Sequence, residues 1–422
     1  MELCYASIIF CILVCVFTKI RQKNTYNPRL LFFLLWAVIL ILHSLNLFGI
    51  SACSEKTYLI ILIGLIFWWL GSSVSTMVRI KKVSTIDIND KNVKEINKPM
   101  FRIITIVTYF ILLYAAVQGI IKILAGGSLY NLRYVSEDNV LSNSFLSILY
   151  NYFAIPVSYV AIHFYMNKLI FGEMSKGKIT CVLEVVFIVV AQILTQGGRF
   201  AILYVLIDGI LLMMIHKKKQ RKSKEERKNL HRLRVVLFLA VAGLLFVTIN
   251  RGSKLFETMY TYTSGCVSFL DILIQKFSGE YTYGLTSMNG FIRPFFTLLR
   301  AFGLISTLPK GLLHVQDMLA MVEFPVWIGD GILYNGFSSF LYDFYVDGGF
   351  IGVIIISFIW GVLCQKVYIK FIRLPSEKNT ILYLLIMQGI LTSMLKFQFV
   401  AFHYALAFIY LEIMCIQFRK SR

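Results

Sequence analysis

The chain has 422 residues, of which 58% are hydrophobic and only 15% are charged. Soluble globular proteins are nearer half apolar and a quarter charged, so this composition excludes a water-soluble fold. The net charge of +20 does not indicate a nucleic-acid partner, because the basic residues lie in short segments between hydrophobic runs.

Helices that cross a membrane need about 20 mostly apolar residues, and about eleven segments meet that requirement. We therefore predict an all-α, polytopic transmembrane bundle of about eleven spans. Spans 1–8 lie in residues 1–250, one large extracytoplasmic loop occupies 251–347, and spans 9–11 lie in 348–422. The predicted spans are 3–18, 30–50, 57–78, 101–121, 144–166, 179–196, 199–216, 235–250, 348–369, 379–395 and 398–418.

The basic residues also predict the orientation of the chain. Most of the 42 lysines and arginines fall in alternate loops and in the C-terminal tail. Loops of this kind face the cytoplasm, so we predict an N-terminus outside and a C-terminus inside. The longest basic run, KKKQRKSKEERK at 217–228, is interpreted as a topology signal.

Neither the cysteines nor the predicted cytoplasmic loops contain a pattern typical of a metal or cofactor site. All eight cysteines except Cys53 and Cys266 lie in apolar runs, where cysteine acts as a small hydrophobe. Cys53 and Cys266 fall in predicted loops, and the alternative to two free thiols there is a disulfide between them. No zinc-type spacing, P-loop, glycine-rich nucleotide fingerprint or Asp-x-Asp motif is present in the sequence, and we predict no metal and no cofactor.

The large loop from Asn250 to Gly348 is the part of the chain where chemistry is expected. It is long for a loop, which favours a functional role. Its aromatic pieces are interrupted by glycine and proline, a pattern typical of short interfacial or re-entrant helices. We expect such a surface to face a lipid-linked substrate from outside the cell.

Arginines on the predicted outer side need an explanation, since the topology rule disfavours them there. They are Arg199, Arg251, Arg293 and Arg300. A guanidinium can bind phosphate oxygens through two parallel hydrogen bonds. The sequence therefore suggests a pyrophosphate site, and contact with phospholipid headgroups is the alternative for each residue.

Acidic residues of the loop, and His314, are candidates for a base that takes a proton from a sugar hydroxyl. Asp330 is flanked by glycines that would let backbone approach a ligand. Asp343 and Asp347 are four residues apart and share a helix face. The alternative for Asp347 is an ordinary negative charge at a helix N-terminus.

Two carboxylates, Glu184 and Asp208, lie inside predicted spans. Because Gly197–Gly198 is predicted to turn the chain between those spans, the two acids should lie within about one helical turn of each other. No basic partner is evident, so we expect neutral, hydrogen-bonded side chains. Intramembrane acids also suggest a proton relay, and a proton-coupled glycan or lipid transporter is the alternative function.

An ordered set of motifs resembles the bacterial oligosaccharide repeat-unit polymerases, which make O-antigen and capsule. The motifs are TQGGRF at 195–200, INRG at 249–252, SGCVSFLD at 264–271, YGLTSMNGFIRP at 283–294 and GDGILYNGFSSFLYDFYVDGGFIG at 329–352. The likeness covers about 190–365, and the preceding residues match only in hydropathy.

The resemblance implies a GT-C-like glycosyltransferase in the bacterial cytoplasmic membrane. Such an enzyme transfers glycan from undecaprenyl pyrophosphate to the non-reducing end of another lipid-linked repeat unit, without metal or nucleotide sugar. A flippase and a chain-length regulator are the implied protein partners, besides membrane lipids. A ligase that passes glycan to lipid A core or to protein is the related alternative.

Carried onto this chain, the resemblance assigns a role to each candidate residue. Arg199, Arg251 and Arg293 would bind the pyrophosphate. Asp330, Asp271 and His314, in falling order, would be the base. Asn335 and Tyr345 would contact the glycan.

Overall fold

The computed structural model describes residues 1–22, 24–77, 95–125, 144–171, 177–198, 200–217, 234–235, 237–238, 241 and 255–417. In this part of the chain the fold is predominantly helical. Six of the described helices are long and apolar enough to cross a membrane: Glu2–Arg21, Glu55–Thr76, Lys98–Leu124, Phe145–Phe171, Ile179–Gln196 and Ser339–Arg373. The predicted helical membrane protein is thereby confirmed, whereas the predicted span at 235–250 falls largely outside the described residues.

The elements follow the chain in this order. They are α1 Glu2–Arg21, α2 Pro28–Ser44, α3 Glu55–Met77, α4 Lys98–Leu124, α5 Ser144–Leu149, a π-helical turn Tyr150–Ala154, α6 Ile155–Phe171, α7 Lys178–Gln196, α8 Phe200–Lys217, α9 Leu255–Lys276, α10 Asn289–Ala301, α11 Lys310–Glu323, β1 Val326–Gly329, β2 Ile332–Tyr334, α12 Ser339–Arg373, α13 Glu377–Leu391 and α14 Phe402–Ile413. Short 3₁₀ turns lie at Leu47–Gly49 and Gln398–Val400.

The chain forms two compact units. Unit 1 consists of Met1–Asn89, Ser253–Arg373 and Gly389–Ala405. Unit 2 consists of Asp90–Gly252, Leu374–Gln388 and Leu406–Arg422. Most of the predicted outer-loop residues therefore belong to unit 1.

Close packing of α3 against α12 organises unit 1. A Cβ atom added at Gly71 would lie 2.0 Å from the carbonyl oxygen of Phe358, and one added at Gly361 would lie 2.2 Å from that of Trp68. The hydroxyl of Ser75 donates to the Val362 carbonyl at 3.2 Å. Small residues let two helix backbones approach in a membrane, where burial of apolar surface gives little driving force.

Aromatic rings fill the space beside this contact. Phe32 of α2 stacks on Trp68 of α3 with ring centroids 4.2 Å apart. Trp360 of α12 lies with its centroid 5.7 Å from that of Phe32, in an edge-to-face arrangement. Phe340 lies 5.0 Å from Trp360. Such pairs add about 0.5–1.5 kcal/mol each beyond the area they bury.

Helix ends follow local sequence signals. The side chain of Asn27 accepts from the backbone N–H of Arg29 at 2.9 Å, and Pro28 occupies the first position of α2. In unit 2, α7 ends at Gln196, and Gly197 takes a left-handed conformation with φ of 61°. The predicted glycine turn between the helices α7 and α8 is therefore confirmed.

One part of the structure differs from the all-α prediction. Strands β1 and β2 form an antiparallel hairpin in which Trp327 pairs with Leu333. Asp330 and Gly331 form its turn, and Gly331 has φ of 72°. An Asp-Gly pair between alternating hydrophobic residues is a strong hairpin signal. The glycine after Asp330 therefore serves the turn, and its expected role in ligand approach stays a prediction.

Helix α12 begins earlier than predicted and bends where the span was expected to start. Its residues Gly348 and Gly349 have non-helical backbone angles, and Gly349 has φ of 59°. A Cβ atom at Gly349 would lie 2.8 Å from the hydroxyl oxygen of Tyr281. The bend separates a buried first part, 339–347, from the long apolar part that packs on α3.

The α3–α12 contact gives a test of the fold. We expect Gly71→Ala to lower the free energy of unfolding by about 1–3 kcal/mol, because the added methyl group must displace the α12 backbone. Thermal unfolding of the purified protein in detergent measures the effect. Gly177→Ala is the control, since its methyl group would meet no atom within 4 Å. Equal unfolding temperatures for the two variants would contradict the proposed close approach.

Candidate functional site

Residues 255–347 of the predicted large loop form a folded part of unit 1. Its first element, α9, has 22 residues, and α10 and α11 have 13 and 14. The prediction of short helices thus holds for α10 and α11 and not for α9. We call residues 277–338, which link α9 to α12, the cap.

Asp347 anchors the cap to α12. Its Oδ1 atom accepts hydrogen bonds from the Thr282 hydroxyl at 2.6 Å, the Gly284 N–H at 3.0 Å and the Thr286 N–H at 2.9 Å. Its Oδ2 atom accepts from the N–H of Ser287 at 2.9 Å and from the Ser287 hydroxyl. Asp347 therefore does more than stabilise a helix N-terminus. The sequence missed this role because the donors lie about sixty residues earlier.

Removing this carboxylate should loosen the cap. We expect Asp347→Ala to cost at least about 3 kcal/mol, since each buried donor left without an acceptor costs about 1–3 kcal/mol. Limited proteolysis should then cut within residues 279–288 before the wild type is cut there. Asp317→Ala, at an exposed position of α11, is the control. Unchanged protease resistance in the Asp347 variant would refute the anchoring role.

Helix α10 carries two arginines and, on a different side of the helix, exposed apolar residues. Asn289, Gly290 and Pro294 are its buried residues, and Arg293 and Arg300 lie two turns apart along the helix. Arg293 is half-buried and its Nη2 atom donates to Gln316 Oε1 of α11 at 3.4 Å. The exposed apolar residues on or beside α10 are Met288, Phe295, Leu298, Phe302 and Leu304. Helix α10 therefore offers apolar contact on one side and guanidinium groups on another.

The predicted base residues differ in their surroundings. Asp271 is buried, and its carboxylate accepts from Ser54 N–H at 3.1 Å, Thr57 Oγ1 at 2.7 Å and Gln275 Nε2 at 2.7 Å, as well as from the Ser54 hydroxyl. These contacts hold the start of α3, which is a structural role. Asp330 lies exposed in the hairpin turn, where its N–H donates to the Gly49 carbonyl at 3.1 Å.

His314 and the predicted glycan residue Asn335 contact neighbours in the cap, whereas the predicted glycan residue Tyr345 lies beside α3. The Nε2 atom of His314 lies 3.1 Å from the carbonyl oxygen of Glu280. Asn335 donates to the carbonyl of Glu323 at 2.8 Å. Tyr345 is buried, and the Lys56 ammonium lies over its ring, 5.3 Å from the centroid. The amide of Asn335 and the ring of Tyr345 thus stabilise local structure.

The predicted residues do not share one set of contacts in the described part of the chain. Asp271 and Asp330 both contact residues 49–57, whereas Arg293 contacts α11. Arg199 and Arg251, both assigned to the pyrophosphate, lie outside the described residues. The predicted trio of arginines therefore remains a prediction.

A cation that the sequence analysis missed lies between the helices α13 and α14. Lys396 is half-buried on the non-helical segment 392–401. Its ammonium acts electrostatically on Asp343 and on His403. Asp343 in turn accepts from the N–H of Phe397 at 2.8 Å. A lysine between two apolar segments was the available signal, but hydropathy alone classifies this position as a short link between spans.

No disulfide joins Cys53 to Cys266, because both cysteines are free. The Cys53 sulfur lies 3.5 Å from His43 Nε2, a spacing that a thiol nucleophile and its base could have. Burial, however, raises the pKa of the Cys53 thiol to about 12. The thiolate, which is the reactive form, is therefore scarce at neutral pH, and this pair is not a candidate nucleophile.

Asp208 of unit 2 has a basic partner, contrary to the sequence-based expectation. Its Oδ2 atom lies 2.5 Å from His163 Nδ1, and His163 Nε2 lies 3.0 Å from Gln388 Oε1. Both side chains of the pair are buried, and Asp208 Oδ1 has no hydrogen-bond partner among the described residues. Glu184 is separately hydrogen-bonded to Tyr109. Hydropathy could not reveal the pair, because His163 lies in an apolar run.

The two partners of this pair should depend on each other. We expect His163→Ala to destabilise the protein by about 3–5 kcal/mol, because it leaves a buried carboxylate without a partner. The double variant His163→Gln/Asp208→Asn should recover most of that loss, since no charge remains buried. Denaturant unfolding in detergent measures both, with Glu184→Gln as the control. A double variant as unstable as the single one would exclude the pairing.

Comparisons with protein-family models, with curated proteins and with solved structures find no match for this chain. The function of the chain is therefore inferred from its residues and their geometry.

Proposed function

We propose that this protein is a polymerase of lipid-linked oligosaccharide repeat units. It transfers a growing glycan from undecaprenyl pyrophosphate to the non-reducing end of a newly delivered, lipid-linked unit. The reaction takes place at the outer face of the bacterial cytoplasmic membrane, in a bundle of about eleven spans with the N-terminus outside. The bundle is GT-C-like, and a flippase and a chain-length regulator are its partners.

The observation that carries this proposal is the surface of α10. Its exposed phenylalanine and leucine side chains offer contact to a polyprenyl chain, and Arg293 on the same helix offers a guanidinium to the pyrophosphate. Charge that develops on a leaving pyrophosphate is stabilised by such donors. The ordered motifs at 195–200, 249–252 and 283–294 support the same substrate, with Arg199 and Arg251 as further phosphate contacts.

The proposed base is Asp330, followed by His314. Asp330 is exposed on the hairpin and is engaged through its backbone N–H, so its carboxylate remains available to a sugar hydroxyl. His314 is half-buried and is the second choice. Asp271 is not proposed as a base, because its carboxylate already accepts four hydrogen bonds from the start of α3 and from Gln275.

Replacement of Arg293 tests the proposal. In the source bacterium, a strain with Arg293→Ala should make about 10- to 100-fold less long-chain glycan, because a charge-assisted hydrogen bond contributes about 1.5–3 kcal/mol. The glycan ladder on a gel, probed for the repeat unit, measures this. Arg293→Lys should retain part of the activity, and Lys310→Ala, an exposed cation of the cap, should resemble the wild type.

The glycan ladder also distinguishes a polymerase from a ligase and from a transporter. A deletion strain should accumulate single repeat units on the lipid carrier and on its acceptor. A ligase would instead leave long chains attached to the lipid carrier, and a transporter would leave repeat units on the cytoplasmic side. Full-length ladders in the Arg293→Ala strain, at normal protein level, would overturn the assignment of α10.

A further inference from the structure

Two short helices near the C-terminus are separated by a non-helical segment. Helices α13 and α14 have 15 and 12 residues, which corresponds to about 22 Å and about 18 Å. Each is shorter than the hydrocarbon core of a bilayer, at about 30 Å. Neither helix alone can span that core, so the segment 392–401 interrupts the apolar C-terminal stretch of the chain. Within a bilayer, non-helical backbone is tolerated where protein surrounds it or where it lines a cavity.

The segment is held in place from several sides within unit 1. The carbonyls of Ser393 and Leu395 accept from Phe340 N–H at 2.9 Å and from Ser338 N–H at 3.0 Å. The indole N–H of Trp36 donates to the Ser393 hydroxyl at 3.2 Å. These contacts give the segment a defined conformation, so the side chains that it carries have defined positions.

Helix α10 packs directly on the same segment. The side-chain amide of Asn289 donates to the Val400 carbonyl at 3.0 Å. A Cβ atom at Gly290 would lie 2.3 Å from the carbonyl oxygen of Phe399. The helix that carries Arg293 and the segment that carries Lys396 are therefore in contact.

Lys396 is the charged side chain of this segment, and none of the contacts above accounts for it. Its ammonium makes no hydrogen bond or ion pair with any residue that the structure describes. The Asp343 carboxylate, which interacts electrostatically with this ammonium, accepts from the Phe397 N–H. The Lys396 ammonium thus has a charged neighbour in Asp343 but no hydrogen-bond acceptor among the described residues, and the oxygens of an anionic ligand would supply acceptors.

Two further polar groups in this region, Gln398 Nε2 and Ser338 Oγ, are buried and form no hydrogen bond with the described residues. An amide and a hydroxyl are donors that phosphate oxygens accept. Interrupted helices in membranes place such donors, and the positive end of the second helix, near anionic ligands.

We propose that Lys396 binds the diphosphate group of a polyprenyl pyrophosphate at the break between α13 and α14. This inference rests on the proposed function and adds to it a phosphate-binding residue outside the large loop. The diphosphate reaches Lys396, and the apolar chain of the ligand passes around α10 to its exposed apolar side chains. Lys396 thus acts in substrate binding, and its loss changes affinity whether or not the chain turns over.

Ligand binding to the full chain in lipid nanodiscs tests the proposal. Farnesyl pyrophosphate is the probe, inorganic pyrophosphate tests for a free-phosphate site, and farnesol lacks the anion. Thermal unfolding at increasing probe concentration gives an apparent Kd. Farnesyl pyrophosphate should stabilise the wild type, and farnesol should not.

Lys396→Met keeps the length of the side chain and removes its charge. We expect its Kd for farnesyl pyrophosphate to be about 10- to 100-fold weaker, which corresponds to about 1.4–2.8 kcal/mol. Lys396→Arg should bind within a few-fold of the wild type, and Lys310→Met should not change Kd. Wild-type affinity in the Lys396→Met variant would overturn the inference.

A second measurement avoids dependence on a variant that fails to fold. In the wild type, an amine-reactive reagent should modify Lys396, and farnesyl pyrophosphate should protect it while Lys310 stays reactive. Equal modification with and without the probe would also overturn the inference. If Lys396 fails both tests while Arg293→Ala still loses polymer, the proposed function stands without this site. If inorganic pyrophosphate alone protects Lys396, the phosphate site stands and the contribution of α10 is excluded.

Discussion

The geometry of unit 1 depends on a series of contacts that begins and ends at α12, and the carboxylate of Asp347 makes the first of them. It fixes residues 282–287, which lead directly into α10. Helix α10 then packs on residues 398–401, and that segment returns to α12 through Asp343. Because each contact positions the next, a buried negative charge at a helix bend determines where the surface of α10 and the ammonium of Lys396 lie.

Features that depend on local sequence were predictable. Hydropathy placed a span at 179–196, and α7 runs from Lys178 to Gln196. The Gly197–Gly198 pair was expected to turn the chain, and Gly197 has the positive φ that such a turn requires. The hairpin had an equally local signal in Asp330–Gly331, but a composition so rich in apolar helices concealed it. The length of an apolar run alone did not reveal that α13 and α14 are short.

Features that depend on distant partners were not predictable in the same way. Asp347 binds mainly backbone N–H groups, which carry no residue identity for a pattern search to find. His163 and Asp208 are each isolated in an apolar run, and only the packing of α6 on α8 shows that they are neighbours. The candidate site illustrates the same limit, because Lys396 acquires significance from the helix break around it and from α10. A single sequence contains these residues but does not contain their distances.

The contact between α3 and α12 also sets a condition on how the protein is made. Ser75 and Val362, which are hydrogen-bonded across it, are 287 residues apart in the chain. At a synthesis rate of about 5–20 residues per second, α3 waits on the order of 15–60 s before its partner exists. During that interval the face of α3 that carries Gly71 lacks its partner in α12. The contact between α3 and α12 therefore forms late, whereas the partners of α3 in α1 and α2 precede it in the chain.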